Sequence, residues 1–147
     1  MRKSTKPSEK PAAVSETDYQ HLAAFRRLLR EFLRFSEEAA LAAGVAPQQH
    51  QAMLVIRGYP KEGQMTVGEL AAQLHIKHHS AVGLVKRMVA EGFVAKSEAP
   101  YDRRQVLVWL TARGKRTLES LSPIHKAELA RITPAMRKIL SQLESRG

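Results

Sequence analysis

A chain of 147 residues is about one domain's worth of sequence and can bury a core without disulfides or metal. It has no cysteine, which excludes thiol redox sensing, Cys-ligated zinc and a cysteine nucleophile. The formal net charge of +10 attracts polyanions, nucleic acid first and anionic membrane second. No apolar run approaches the ~18 residues of a membrane span, and no apolar core follows the basic N-terminus as a signal peptide requires. A soluble cytoplasmic protein without a membrane partner is therefore expected.

Residues 1–14 carry Arg2, Lys3, Lys6 and Lys10 with two prolines and no periodicity, the composition of a disordered basic arm. Such an arm either touches DNA backbone or is a solvated tail. From Ser15 to Asp18 polar cap candidates lead into a long helix with Leu22, Phe25, Leu29, Phe32 and Leu33 on one side and Leu28 and Phe35 off that stripe. Two apolar faces on one helix call for two burial partners, one inside the subunit and one outside it. Gly44 sits where a left-handed cap is wanted, and Pro47 suits the first position of the next helix. That helix carries His50, Met53, Leu54 and Ile56 before Gly58, Tyr59 and Pro60 break it, and residues 61–64 connect onward.

Residues 66–92 hold two short helical patterns across a tight turn, the signature of a helix-turn-helix. Thr66 and Glu69 make a capping box, so a helix should begin at Val67, with Leu70, Ala71 and Leu74 as its stripe. Ile76 plugs the turn. Ala81, Leu84, Val85 and Met88 return the apolar spacing on a second helix ending near Gly92, with Ala71 and Ala81 small where the helices must touch. His78, His79, Ser80, Val82, Gly83, Lys86 and Arg87 face away from that stripe or sit in the first turn. A recognition helix offers its N-terminal residues to base edges and its later cations to phosphate, and this surface fits that division. An ordinary helical hairpin with solvated charges fits these residues as well.

Residues 93–98 and 105–111 read as two strands around a basic tip at 99–104 that holds Asp102, Arg103 and Arg104. In the second strand Val106, Val108 and Leu110 form the buried face, alternating with Gln105, Leu107 and Trp109. A helix-turn-helix followed by such a hairpin is a winged helix, whose wing reaches the backbone or minor groove. Thr111 caps a further helix holding Leu118, Leu121, His125, Leu129 and Ile132, kinked at Pro123. Thr133 and Pro134 start a last helix with Met136, Ile139, Leu140 and Leu143. The expected fold is mainly α with a small β-hairpin wing. Helices at 15–44 and 112–147 dimerise, and 45–111 form the winged helix-turn-helix lobe.

The order of elements and three local motifs resemble the MarR family of dimeric winged helix-turn-helix transcription regulators. The motifs are residues 65–71 (Met-Thr-Val-Gly-Glu-Leu-Ala), 84–94 (Leu-Val-Lys-Arg-Met-Val-Ala-Glu-Gly-Phe-Val) and 102–114 (Asp-Arg-Arg-Gln-Val-Leu-Val-Trp-Leu-Thr-Ala-Arg-Gly). The resemblance implies a homodimeric repressor on double-stranded DNA, bound to a pseudo-palindromic operator and released by a small, often aromatic and anionic, effector. It also implies that Arg104 enters the minor groove while Asp102 holds its geometry. Two positions depart from the family's habit. Gly83 replaces a long polar or basic residue, which leaves Val82 free to approach a thymine methyl, and His75 stands where the turn often has glycine.

His75, His78 and His79 are close enough in sequence to suggest a metal, but no carboxylate lies near them, so neither metal nor cofactor is expected. His50 and His125 are expected to be packed or interfacial, and Trp109 to serve as a tertiary contact or an effector-stacking surface. With no nucleophile elbow, glycine-rich phosphate loop or paired-carboxylate motif, an enzyme is disfavoured. The two remaining functions are a sequence-specific regulator and a non-specific nucleic-acid or nucleoid binder.

Overall fold

The computed structural model describes residues 13–61 and 63–145. The basic arm expected over residues 1–14 thus lies, up to residue 12, outside the described residues. Five helices and three strands follow in the order α1 (Glu16–Ala42), α2 (Pro47–Gly58), β1 (Met65–Thr66), α3 (Val67–Leu74), α4 (His78–Ala90), β2 (Val94–Ala99), β3 (Asp102–Leu110) and α5 (Ala112–Glu144).

Local chemistry sets the boundaries. Ser15 and Asp18 close a reciprocal capping box on α1, and Thr66 and Glu69 do the same on α3. Pro47 occupies the first turn of α2, where its missing N–H costs nothing. Gly44 (φ +76°) and Gly92 (φ +79°) take the left-handed positions after α1 and α4. His75 is left-handed too (φ 54°), so this turn is made without the glycine that would be cheapest there.

The core lies in the lobe between α2 and β3 in sequence. Met53, Ile56, Leu70, Leu84, Val85, Met88 and Val108 are fully buried there, and Leu118 is the point at which α5 joins the cluster. Ala71 and Ala81 are buried where α3 meets α4, and Ile76 packs against the cluster from the turn. The long helices differ. Of the 27 residues of α1 only Ala40 is buried, and of the 33 of α5 only Gly114, Leu118, Leu121 and Ile132 are.

Three expectations change. The chain from Thr111 onward forms one continuous helix, not two. Ser122 Oγ donates to the Leu118 carbonyl (2.7 Å) and Thr133 Oγ1 to that of Leu129 (2.6 Å), so the hydroxyl before each proline occupies a carbonyl in the turn that the ring disturbs. The buried Leu121 and Ile132 then hold both flanks of α5 in place. A third strand also appears. β1 pairs with β3 through Met65↔Val108 and Thr66↔Leu107, giving an antiparallel sheet of order β1-β3-β2. β3 is therefore central, with α2, α3 and α5 packed against it, and Leu107 is buried along with Val108 and Leu110 while Val106 is half-buried. Finally, the tip is shorter than 99–104. Ala99 pairs with Asp102 after a bulge at Glu98 and Ala99, so Pro100 and Tyr101 make the turn, and Asp102, Arg103 and Arg104 open strand β3.

The junction of lobe and α5 depends on close approach. Thr111 caps α5 by accepting from the Gly114 N–H (3.1 Å), and its hydroxyl donates to the Gly92 carbonyl (2.5 Å). A Cβ on Gly114 would overlap the carbonyl oxygen of Phe93, so α5 can leave the wing at this angle only with glycine there.

Candidate nucleic-acid interface

Helix α4 begins at His78 without a side-chain cap on its N-terminus, so its first-turn N–H groups point outward unpaired by a local side chain. His78, His79 and Ser80 are exposed in that turn. Val82 follows at 45% exposure, an apolar side chain displayed on the face opposite the buried Ala81, Leu84, Val85 and Met88. Lys86 and Arg87 are exposed one turn later. Gly83 is half-buried, and the Arg87 guanidinium comes within 3.4 Å of the place its Cβ would occupy. The missing side chain therefore makes room for Arg87 as well as for an approach to Val82.

The wing contributes from the other side. The Arg104 backbone N–H donates to Asp102 Oδ1 (3.0 Å), and its Nε donates to the same oxygen (3.2 Å). Asp102 is mostly covered while the Arg104 side chain is 91% exposed. Arg104 Nη2 also donates to Asp102 Oδ2 (3.5 Å), so the carboxylate holds one edge of a guanidinium that stays highly exposed. Arg103 is exposed beside it.

An open crevice of about 520 Å³ joins these two elements. Its walls include Gly68 and Glu69 of α3, His78 and Val82 of α4, and Lys96, Arg104 and Gln105 of the wing. Helix α4 and the hairpin hence present polar residues to one space. Lys96 and Gln105 were not singled out by sequence reasoning. Lys96 is opposite Val108 in the hairpin register, so its placement beside Arg104 follows only once the strand pairing is known. Tyr59 missed notice as well. Its hydroxyl donates to the Glu69 carboxylate, which ties the end of α2 to the first turn of α3.

His75, His78 and His79 do not assemble a metal centre: among the described residues no group of three or more histidine and acidic side chains is placed to hold an ion. His50 and His125 come together elsewhere. Their rings lie 4.7 Å apart at 37°, and Phe32 and Phe35 of α1 meet His125 edge-on. They line a mainly apolar cleft of about 620 Å³ between α1, α2, the turn after α3 and α5. Burial first, and then the neighbouring His125, lower the His50 pKa below the ordinary histidine range. Trp109, half-buried opposite Ala95 on the wing, lines neither of these spaces.

A buried helix-turn-helix whose second helix shares a basic crevice with a β-hairpin is a winged helix-turn-helix, a DNA-binding fold. The family model described as MarR family matches residues 43–105. The HTH-type transcriptional regulator YcgE of Bacillus subtilis is 30% identical over 116 residues, covering 78% of this chain and 73% of its own. Two solved structures share the fold. CouR from Rhodococcus jostii, bound to p-coumaroyl-CoA, has a TM-score of 0.69 at 18% identity, covering 89% of this chain and 92% of its own. MepR from S. aureus, in complex with DNA, has a TM-score of 0.67 at 16% identity, covering 86% and 96%. The chain belongs to the MarR family of DNA-binding transcription regulators, which are not enzymes.

Proposed function

We propose that this regulator is a homodimeric repressor that reads an inverted-repeat operator with α4, grips its backbone and minor groove with the wing, and lets go when a small ligand enters the cleft between α1, α2 and α5. The observation that carries the DNA half of this reading is the shared crevice: His78 and Val82 from α4 line the same space as Lys96 and Arg104 from the wing. Base edges would be met by His78, His79, Ser80 and Val82, and phosphate by Lys86, Arg87 and Arg103. Arg104, tethered by Asp102, would enter the minor groove, and Gly83 would keep the approach open.

Dimerisation is supported by what the subunit leaves uncovered. Leu22, Leu29, Leu33 and Leu41 on α1 are 40 to 63% exposed, and Ile124, Leu129 and Leu140 on α5 are 46 to 47% exposed. Apolar surface on that scale, spread along two helices that pack on one another, suits a two-fold interface. A two-fold axis sets the two α4 helices about one DNA turn apart, hence the inverted repeat.

For the cleft to control DNA binding, the ligand must prefer one spacing of the two lobes. Moving the population from mostly bound to mostly released needs roughly 5 kcal/mol of differential affinity. The neighbour CouR holds an anionic aromatic thioester, and the cleft here combines an apolar lining with Lys126 and no acidic residue. An anionic ligand with an aromatic or apolar body is the class we assign to it.

Analytical ultracentrifugation and nuclease footprinting of the region upstream of the protein's own gene test this together. A dimer at micromolar concentration protecting an inverted repeat is expected. A monomer that binds DNA one to one would overturn the dimeric reading, and unprotected or uniformly coated DNA would favour a non-specific binder.

A further inference from the structure

We propose that an anionic ligand enters the cleft between α1, α2 and α5 together with one proton, which the stacked His50 and His125 pair takes from solvent. This rests on the reading of that cleft as the effector site and adds how occupancy responds to pH.

Hydrogen bonding fixes the starting state of the pair. His125 Nδ1 lies 2.8 Å from the Leu121 carbonyl oxygen, which can only accept, so Nδ1 carries the hydrogen. In the neutral ring Nε2 is then an acceptor, and it takes the Ser36 hydroxyl hydrogen across 2.8 Å. A proton added at Nε2 would turn that bond around, since a hydroxyl accepts as well as it donates. His50 is 96% buried by residue surface (4% exposed), and its Nδ1 has no hydrogen-bond partner. The two rings lie 4.7 Å apart, so a positive charge on one ring opposes a positive charge on the other.

The surroundings decide when that proton is held. From α1 the cleft receives Phe32, Leu33 and Ser36; from the end of α3 and its turn, Gln73, Leu74 and His75; and from α5, Ser122, Lys126 and Leu129. On α2 His50 is the titratable group among the lining residues. Lys126 and His75 are thus the other groups that carry or can gain charge there, both of them positive, and no carboxylate lines the cleft to offset an imidazolium. Burial and the paired ring already disfavour charge on His50 while the cleft is empty. A bound anion reverses that balance, stabilising the imidazolium that burial and the neighbouring ring oppose. By reciprocity, the proton strengthens anion binding as much as the anion strengthens proton binding. A neutral ligand of the same shape gains nothing.

The full-length protein is titrated with 8-anilinonaphthalene-1-sulfonate, whose sulfonate stays ionised throughout, and with neutral N-phenyl-1-naphthylamine, from pH 5.5 to 8.5. With one linked proton, affinity for the sulfonate should rise as pH falls, by up to about tenfold per pH unit between the empty and occupied pKa values of the pair. The neutral probe should show no such rise. His50→Gln and His125→Gln should each flatten the sulfonate profile, and Leu54→Trp should block both probes by filling the cleft. A wild-type sulfonate affinity that is constant with pH, a slope shared equally by the neutral probe, or a slope that survives both glutamine variants would overturn proton coupling while leaving the cleft as a ligand site. Unchanged binding of both probes to Leu54→Trp would show that they bind elsewhere and would overturn the cleft reading along with this proposal.

Discussion

Replacing Arg104 with alanine separates the wing's contribution to DNA binding from its contribution to folding. The side chain is 91% exposed and its intramolecular partner is Asp102, so its loss should cost folding less than about 1 kcal/mol and leave the melting temperature nearly unchanged. On DNA the loss is of a different kind. Each cation that leaves the polyanion lowers the slope of log affinity against log salt by about 0.9, so a two-fold dimer losing two should be shallower by roughly 1.8. Between about 50 and 200 mM salt that difference amounts to roughly tenfold, so the variant's defect should be about ten times larger at the low end than at the high end. The defect should appear on operator and scrambled duplex alike, and any preference for a narrow A·T-rich flank should flatten. Asp102→Ala should act in the same direction but more weakly, because the guanidinium remains and loses its tethers at Nε, at Nη2 and at the backbone N–H. Fluorescence anisotropy on both duplexes across a salt series measures all of this. An Arg104→Ala protein with unchanged affinity and unchanged salt slope on both duplexes would show that the wing does not touch DNA.

Four further outcomes follow from other parts of the molecule. His79→Ala, at the exposed first turn of α4, should cost roughly 1 to 3 kcal/mol on the operator and little on random duplex, as read by a base-substitution series at one position per half-site. Gly114→Ala must push α5 away from the Phe93 carbonyl and should destabilise the fold by about 1 to 3 kcal/mol or more in urea unfolding, whereas Gly58→Ala, with open space around it, should cost far less. Because the native state disfavours charge on His50, its folded pKa lies below the unfolded one, so its contribution to stability is present above pH ~6.5 and is lost as the unfolded chain takes up the proton below it. Melting curves at pH 7.5 and 5.5 should diverge more for wild type than for His50→Gln. Lastly, with no cysteine in the chain, peroxide should not release DNA through thiol oxidation; rapid release reversed by a thiol reductant would contradict this.

Features carried by neighbouring residues were readable from the sequence. The Thr66 and Glu69 capping box, the polar cap between Ser15 and Asp18, Pro47 at the first turn of α2, Gly44 and Gly92 after their helices, and even a left-handed His75 depend on contacts within a few positions. Binary patterning placed Ala71, Ala81, Leu84 and Met88 correctly in the core for the same reason. Features that depend on distant partners were not readable. Met65 and Thr66 form a strand only because β3 offers a free edge some forty positions later, and that pairing in turn buries Leu107. The prolines of α5 read locally as breaks, yet Ser122 and Thr133 bond within the helix, and Leu121 and Ile132 anchor it to the rest of the subunit. At the surface proposed to face DNA, the exposed residues of α4 followed from helical phase, but Lys96 and Gln105 required the hairpin register. The His50 and His125 pair joins residues from α2 and α5 with no local pattern to announce it.

Competition between duplexes tests the central claim, that α4 and the wing form one sequence-reading surface. The upstream region of the protein's own gene supplies the labelled site, and unlabelled random duplex of equal length supplies the competitor, both at physiological salt. A sequence reader should hold its site against random DNA by about 10³-fold or more in affinity, and His79→Ala should erode that ratio while Arg104→Ala lowers both affinities. Random duplex that displaces the labelled site at equal concentration, with both variants weakened to the same degree on every sequence, would contradict the account and leave a basic protein that coats DNA without reading it.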